Sequence, residues 1–218
     1  MHLPIHPIME QSFAAIDREV GEHHFTPAEY AIVRRVIHST ADFEFAQLIR
    51  FSEDAKDASA SRSAIASGIT AIQNRTPIIT DVGMVKQGVA GMVAKTFGNP
   101  LLAAVEQVSE ALPGKTRTET GLLQCFEQYP DAIFVIGNAP TALLALCDQL
   151  SASPVQPALV IGVPVGFISV IESKKVLAQT SVPQIRVEGR KGGSPVAAAI
   201  LNALIVLAWE NTGLQVED

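Results

Sequence analysis

The sequence is poor in cysteine, in aromatic residues and in positive charge. It has two cysteines, Cys125 and Cys147, with no Cys-x-x-Cys spacing, and at 218 residues it is too long to need a disulfide framework. Both are read as ordinary thiols of a reducing cytosol. Lys and Arg total 16 against 22 Asp and Glu, a net charge of −6. That balance argues against a broad nucleic-acid surface, which needs clustered positive charge. An acidic chain can still hold an anionic ligand locally, through Arg and backbone N–H groups. No basic segment followed by an apolar one opens the chain, so no secretory signal is expected and a cytoplasmic location is. The most apolar stretch, residues 195–209, is shorter than the roughly 20 residues a membrane span needs, and Asn202 interrupts it. It reads as a buried helix, with no membrane association. The five histidines, His2, His6, His23, His24 and His38, have no zinc-set spacing, so no protein-bound metal is expected. Walker, dinucleotide and Gly-x-Ser-x-Gly patterns are likewise missing.

What is present is apolar. Hydrophobic residues make up 48% of the chain, ample to offset chain entropy. The absence of repeats and linkers predicts one domain over 1–218, with an N-terminal helical portion. A first helix is expected over residues 8–20. A second starts at Thr26-Pro27-Ala28-Glu29, which combines an N-cap Thr, a Pro at the first helical position and the Glu of a capping box. Ile32, Val33, Val36 and Ile37 then mark its buried face, and His38 falls at its end. Residues 52–63 are the loosest stretch. Short apolar strands follow at 77–81, 132–136, 158–161 and 184–187, each leading through a turn, most of them Gly-rich, into a helix. Strands of this kind are buried on both faces. Alternation with helices predicts a three-layer α/β/α fold with a mostly parallel central sheet, and ligands at the carboxyl ends of the strands.

Two turns stand at those ends: Gly137-Asn138-Ala139-Pro140, and Gly189-Arg190-Lys191-Gly192-Gly193-Ser194. Each can free backbone N–H groups at a helix start for a phosphate or carboxylate, or simply turn a strand into a helix. Arg117, just before a helix reaching about residue 129, can grip a carboxylate bidentately or be a solvated surface residue. His38 suits either a dipole partner at a helix end or a proton donor and acceptor near working pH. Ser12, on the first helix, is unremarkable by itself.

Longer strings carry a family resemblance. They include Ser12-Phe13, Val36-Ile37-His38, Asp81-Val82-Gly83-Met84-Val85-Lys86-Gln87-Gly88-Val89, Thr116-Arg117-Thr118 and Ile136-Gly137-Asn138-Ala139-Pro140-Thr141-Ala142-Leu143. Gly162-Val163-Pro164-Val165-Gly166-Phe167, Glu172-Ser173-Lys174 and the turn at 189–194 complete the set. In order and spacing they resemble the precorrin-8X (cobalt-precorrin-8) methylmutase family, over about residues 8–207. The resemblance implies an isomerase of cobalamin biosynthesis that moves a methyl group from carbon 11 to carbon 12 of a tetrapyrrole, giving hydrogenobyrinate or cobyrinate. It implies that His38 is catalytic and Ser12 contacts substrate, with Arg117 at an active-site position. The many carboxylates of such a substrate would suit the turns that bear Gly137, Asn138, Arg190, Gly192, Gly193 and Ser194 as binding residues. The resemblance further implies a homodimer with active sites near the interface and no separate cofactor, any cobalt arriving inside the macrocycle. One histidine in a desolvated cleft would suffice for the protonation such a shift needs. A corrinoid carrier without turnover and a nucleotide-dependent α/β enzyme are the competing readings.

Overall fold

The structure, a computed structural model, describes residues 6–52 and 63–212. His2 and most of the loose stretch at 52–63 lie outside the described residues. The chain opens with two helices, α1 (Pro7–Val20) and α2 (Pro27–Thr40), followed by a four-residue turn of helix, α3 (Phe45–Leu48), and strand β1 (Ile49–Phe51). Then come α4 (Ala64–Gln73), β2 (Ile78–Thr80), α5 (Gly83–Lys95) and β3 (Leu101–Ala103). A 3-10 turn (Ala104–Glu106) precedes α6 (Arg117–Gln128), β4 (Ile133–Ile136) and α7 (Pro140–Ala152). The chain closes with β5 (Leu159–Gly162), α8 (Val170–Ala178), β6 (Gln184–Val187) and α9 (Ser194–Glu210).

The helix starts follow their local chemistry. Thr26 Oγ1 accepts from Glu29 N at 3.3 Å while Glu29 Oε2 accepts from Thr26 N at 2.8 Å, the expected capping box. Thr116 and Glu119 repeat the device at α6, so Arg117 is the first residue of that helix.

The six strands lie in the order β1-β6-β5-β4-β2-β3. All neighbours are parallel except β1 with β6, where Arg50 lies opposite Arg186. Alternate residues of β2, β4 and β5 enter different cores. Ile133 and Val135 join a core built with α1, α2, α4, α5 and α9, whereas Phe134 and Ile136 join one built with α6, α7 and α8. The result is the expected three-layer arrangement. Residues 195–209 fall within α9, whose side chains are buried on almost every face. Two short strands escape the sequence reading, the antiparallel border β1 and the opposite border β3, three residues each. Strand order reverses between β4 and β2, so their carboxyl ends flank a topological switch point.

Candidate active site

At the switch point the crevice is already filled by a carboxyl group of the chain itself. Asp81, directly after β2, is completely buried. Its Oδ2 accepts from Asn138 N at 2.6 Å and Ala139 N at 2.8 Å, and its Oδ1 accepts from Val82 N at 2.9 Å. Burial pushes this carboxyl above the ordinary carboxylate range, against the pull of the backbone N–H donors that favour its charged form. The expectation of free N–H groups at 137–140 is therefore corrected. They are occupied from within, and only the exposed Asn138 side chain is left to meet a ligand there. Gly137 is itself buried, and a Cβ on it would meet Val85, Ala197 and the start of α9. Its part is to let the turn pack against α5 and α9.

Arg117 lies beside this crevice. Its Nε and Nη2 donate to Val105 O at 3.2 and 2.9 Å, which fixes the guanidinium beyond β3. Thr116 Oγ1 and Thr141 Oγ1 are 3.2 Å apart, tying the start of α6 to the start of α7. Lys86 pairs with Glu106 at 2.6 Å on the same rim. The sequence reading quoted Lys86 within a longer string but gave it no role, and it missed Glu106. Ion pairs between residues 20 apart leave no local signal.

The second turn is bound to the rest of the rim by its main chain. Gly193 N donates to Val163 O at 2.9 Å, and Gly166 N donates to Arg190 O at 3.3 Å. Gly192 has φ +150°, and a Cβ there would strike Val163 O, so this close approach requires glycine. Ser194 is buried at the start of α9. Arg190 is exposed, its guanidinium 5.5 Å from the Phe167 ring centroid. Around it Val165, Phe167, Ile168 and Ile171 leave an apolar surface open, with Phe167 84% exposed.

His38 reaches the same rim from α2. Its Nδ1 lies 2.8 Å from Ser12 Oγ on α1. The Phe13 and His38 rings meet edge-on at 5.4 Å, and the Arg34 guanidinium lies over the Phe13 ring, 4.4 Å from its centroid. Just past α2, Asp42 and Glu44 both pair with Lys191 of the second turn, at 2.6 and 2.5 Å. That bond pulls the Asp42 carboxyl below its ordinary range. The structure thus brings His38 and Ser12 together and joins the segment just after α2 to the 189–194 turn. The expected desolvated cleft is corrected, since in the single chain His38 is exposed. The reason is positional: His38 lies in the last turn of α2, beside rather than on the buried face formed by Ile32, Val33, Val36 and Ile37. A cavity of about 920 Å³ lies elsewhere, lined by Gln107, Leu112, Phe126 and Gln149 among others, and contains none of the expected site residues.

Among the described residues no group of three or more His, Cys, Asp or Glu is placed to hold a metal ion. No helix there is long and apolar enough to cross a membrane. Both cysteines are buried and free, and burial raises Cys125 to about 11 and Cys147 to about 12.

Comparison with known proteins matches residues 7–207 to the family model described as precorrin-8X methylmutase. The chain is 57% identical over 209 residues to a cobalt-precorrin-8 methylmutase of Synechocystis, covering 94% of this chain and 96% of that one. It is 37% identical to a precorrin-8X methylmutase of Pseudomonas aeruginosa, covering 90% and 93%. A crystal structure of precorrin-8X methyl mutase from Thermus thermophilus superposes with a TM-score of 0.84 at 40% identity, covering 96% of this chain and 98% of that one.

Proposed function

Since the chain belongs to the precorrin-8X methylmutase family and is an isomerase of cobalamin biosynthesis, we propose that His38 is the group that moves a proton while the methyl shifts from carbon 11 to carbon 12 of its tetrapyrrole. The observation that carries this is the Ser12–His38 pair. With Nδ1 engaged by Ser12, Nε2 is the nitrogen left to exchange a proton with the macrocycle. The reaction is an isomerisation, so no redox partner or external methyl donor enters its balance. The bond to carbon 11 breaks as the bond to carbon 12 forms, and proton transfer makes the conjugated product accessible.

The substrate in this reading is a broad apolar ring edged with acetate and propionate groups. The apolar rim at Val165, Phe167 and Ile168 suits the ring, and Arg117, Asn138, Arg190 and the 192–194 turn suit the carboxylates. Arg117 and Arg190 supply positive charge locally in a chain of net charge −6. A second copy of the chain over the open His38 face would supply the dry surroundings that make proton transfer efficient, which is the homodimer of this proposal.

The test is conversion of precorrin-8X and of cobalt-precorrin-8, each followed by its visible absorption. His38→Ala is expected to lower kcat by about 10²–10⁴ while still binding the ring. A variant that turns over at the wild-type rate excludes the role. Comparing the two substrates assigns the metal state, and many turnovers rather than one equivalent separate an enzyme from a carrier.

A further inference from the structure

Lys174 of α8 has no part in the account above, and its setting is unusual. It is 3% exposed, and among the described residues no carboxylate pairs with it. Burying an ammonium is costly, and an apolar side chain of similar length would fill the same space without that cost. What the ammonium holds is main chain: Nζ donates to Gly189 O at 3.0 Å and to Lys191 O at 2.6 Å. Those carbonyls flank Arg190. The carbonyl between them, Arg190 O, accepts from Gly166 N at 3.3 Å. Gly189 takes φ +72°, which curls the chain toward the ammonium. Three consecutive carbonyls are thus engaged, and the Lys191 side chain is committed to Asp42 and Glu44. Arg190 is the one side chain of the three-residue segment left to face a ligand.

We propose that Lys174 is the positioning residue for Arg190, its buried ammonium fixing the main chain on both sides so that the guanidinium is already aimed at a substrate carboxylate. This rests on the reading of Arg190 as a substrate-binding residue. Hydrogen bonds in which the donor is charged are the strong ones, so their loss reads out clearly. Lys174 touches no reacting atom in this scheme, so its effect falls on KM rather than kcat.

A double-mutant cycle on the whole enzyme tests it, using whichever of precorrin-8X and cobalt-precorrin-8 is converted. Lys174→Met is expected to raise KM about tenfold with kcat changed less than about threefold. In an Arg190→Met background the same substitution is expected to add almost nothing, because the residue it positions is gone. A KM rise that persists undiminished in that background overturns the proposal, as does no rise in the single variant. If Arg190→Met alone leaves KM unchanged, the reading of Arg190 fails and the proposal falls with it. If Arg190→Met raises KM and Lys174→Met does not, only the positioning role falls. Should the Met variant be too unstable to assay, Lys174→Arg runs the same cycle, keeping a donor in altered geometry, with an expected rise of about threefold.

Discussion

Ser12 controls which nitrogen of His38 is free, because its Oγ occupies Nδ1 at 2.8 Å. Ser12→Ala removes that partner, leaving the imidazole with its edge-on contact to Phe13 but without the hydrogen bond. One hydrogen bond of this kind is worth roughly 1 kcal/mol, so kcat is expected to fall about tenfold with KM within about twofold. Steady-state kinetics decide it, and an effect confined to KM would make Ser12 a substrate contact instead. His38 could be singled out from sequence because a capped helix with an apolar face ends on it. Its partner could not, since Ser12 is 26 residues away and meets it only through the packing of α1 on α2. Asp81 was legible as part of a family string and nothing more. Its bonds run to residues 57 and 58 positions along the chain, and long-range pairing of this kind leaves no spacing to read.

Elements whose sequence carries its own start and stop were the ones read correctly. α2, with its capping box, and α9, apolar throughout, lie where expected. β4 and β5 announce themselves by continuous apolar runs and β2 by Ile78-Ile79, whereas β6, Gln184-Ile185-Arg186-Val187, is marked by alternation and the Gly-rich turn after it. β1 is broken by Arg50, and β3, Leu101-Leu102-Ala103, lies in an apolar run at 101–105 that no α-helix start follows directly, so neither carried the strand–turn–helix signal. Helix contacts are set by small residues as much as by large ones. Gly121 of α6 lies against the 3-10 turn so closely that a Cβ would meet Ala104 O, a backbone atom that cannot swing aside. Gly121→Ala is expected to destabilise the protein by about 1–3 kcal/mol through forced separation of these elements. Urea unfolding would register it as a lowered midpoint at unchanged slope. Arg117 heads the same helix and takes its place from Val105 O, next to that turn, so substrate affinity is expected to weaken alongside stability.

For the whole molecule, the open side of His38 is the feature with most bearing on activity. If two copies close over it, sedimentation equilibrium gives about twice the 23.2 kDa chain mass, and dilution to monomer removes turnover in parallel. A fully active monomer would show that the imidazole works in water. The manner of any such pairing is restricted by the sheet. Its borders, β1 and β3, are three residues long, and the helices of both layers cover the faces between them. Among the described residues, neither margin offers a foreign strand enough unpaired backbone to continue the ladder. A pairing built from the described residues would therefore run through side chains on helices and turns, with no ribbon or filament growing by strand addition.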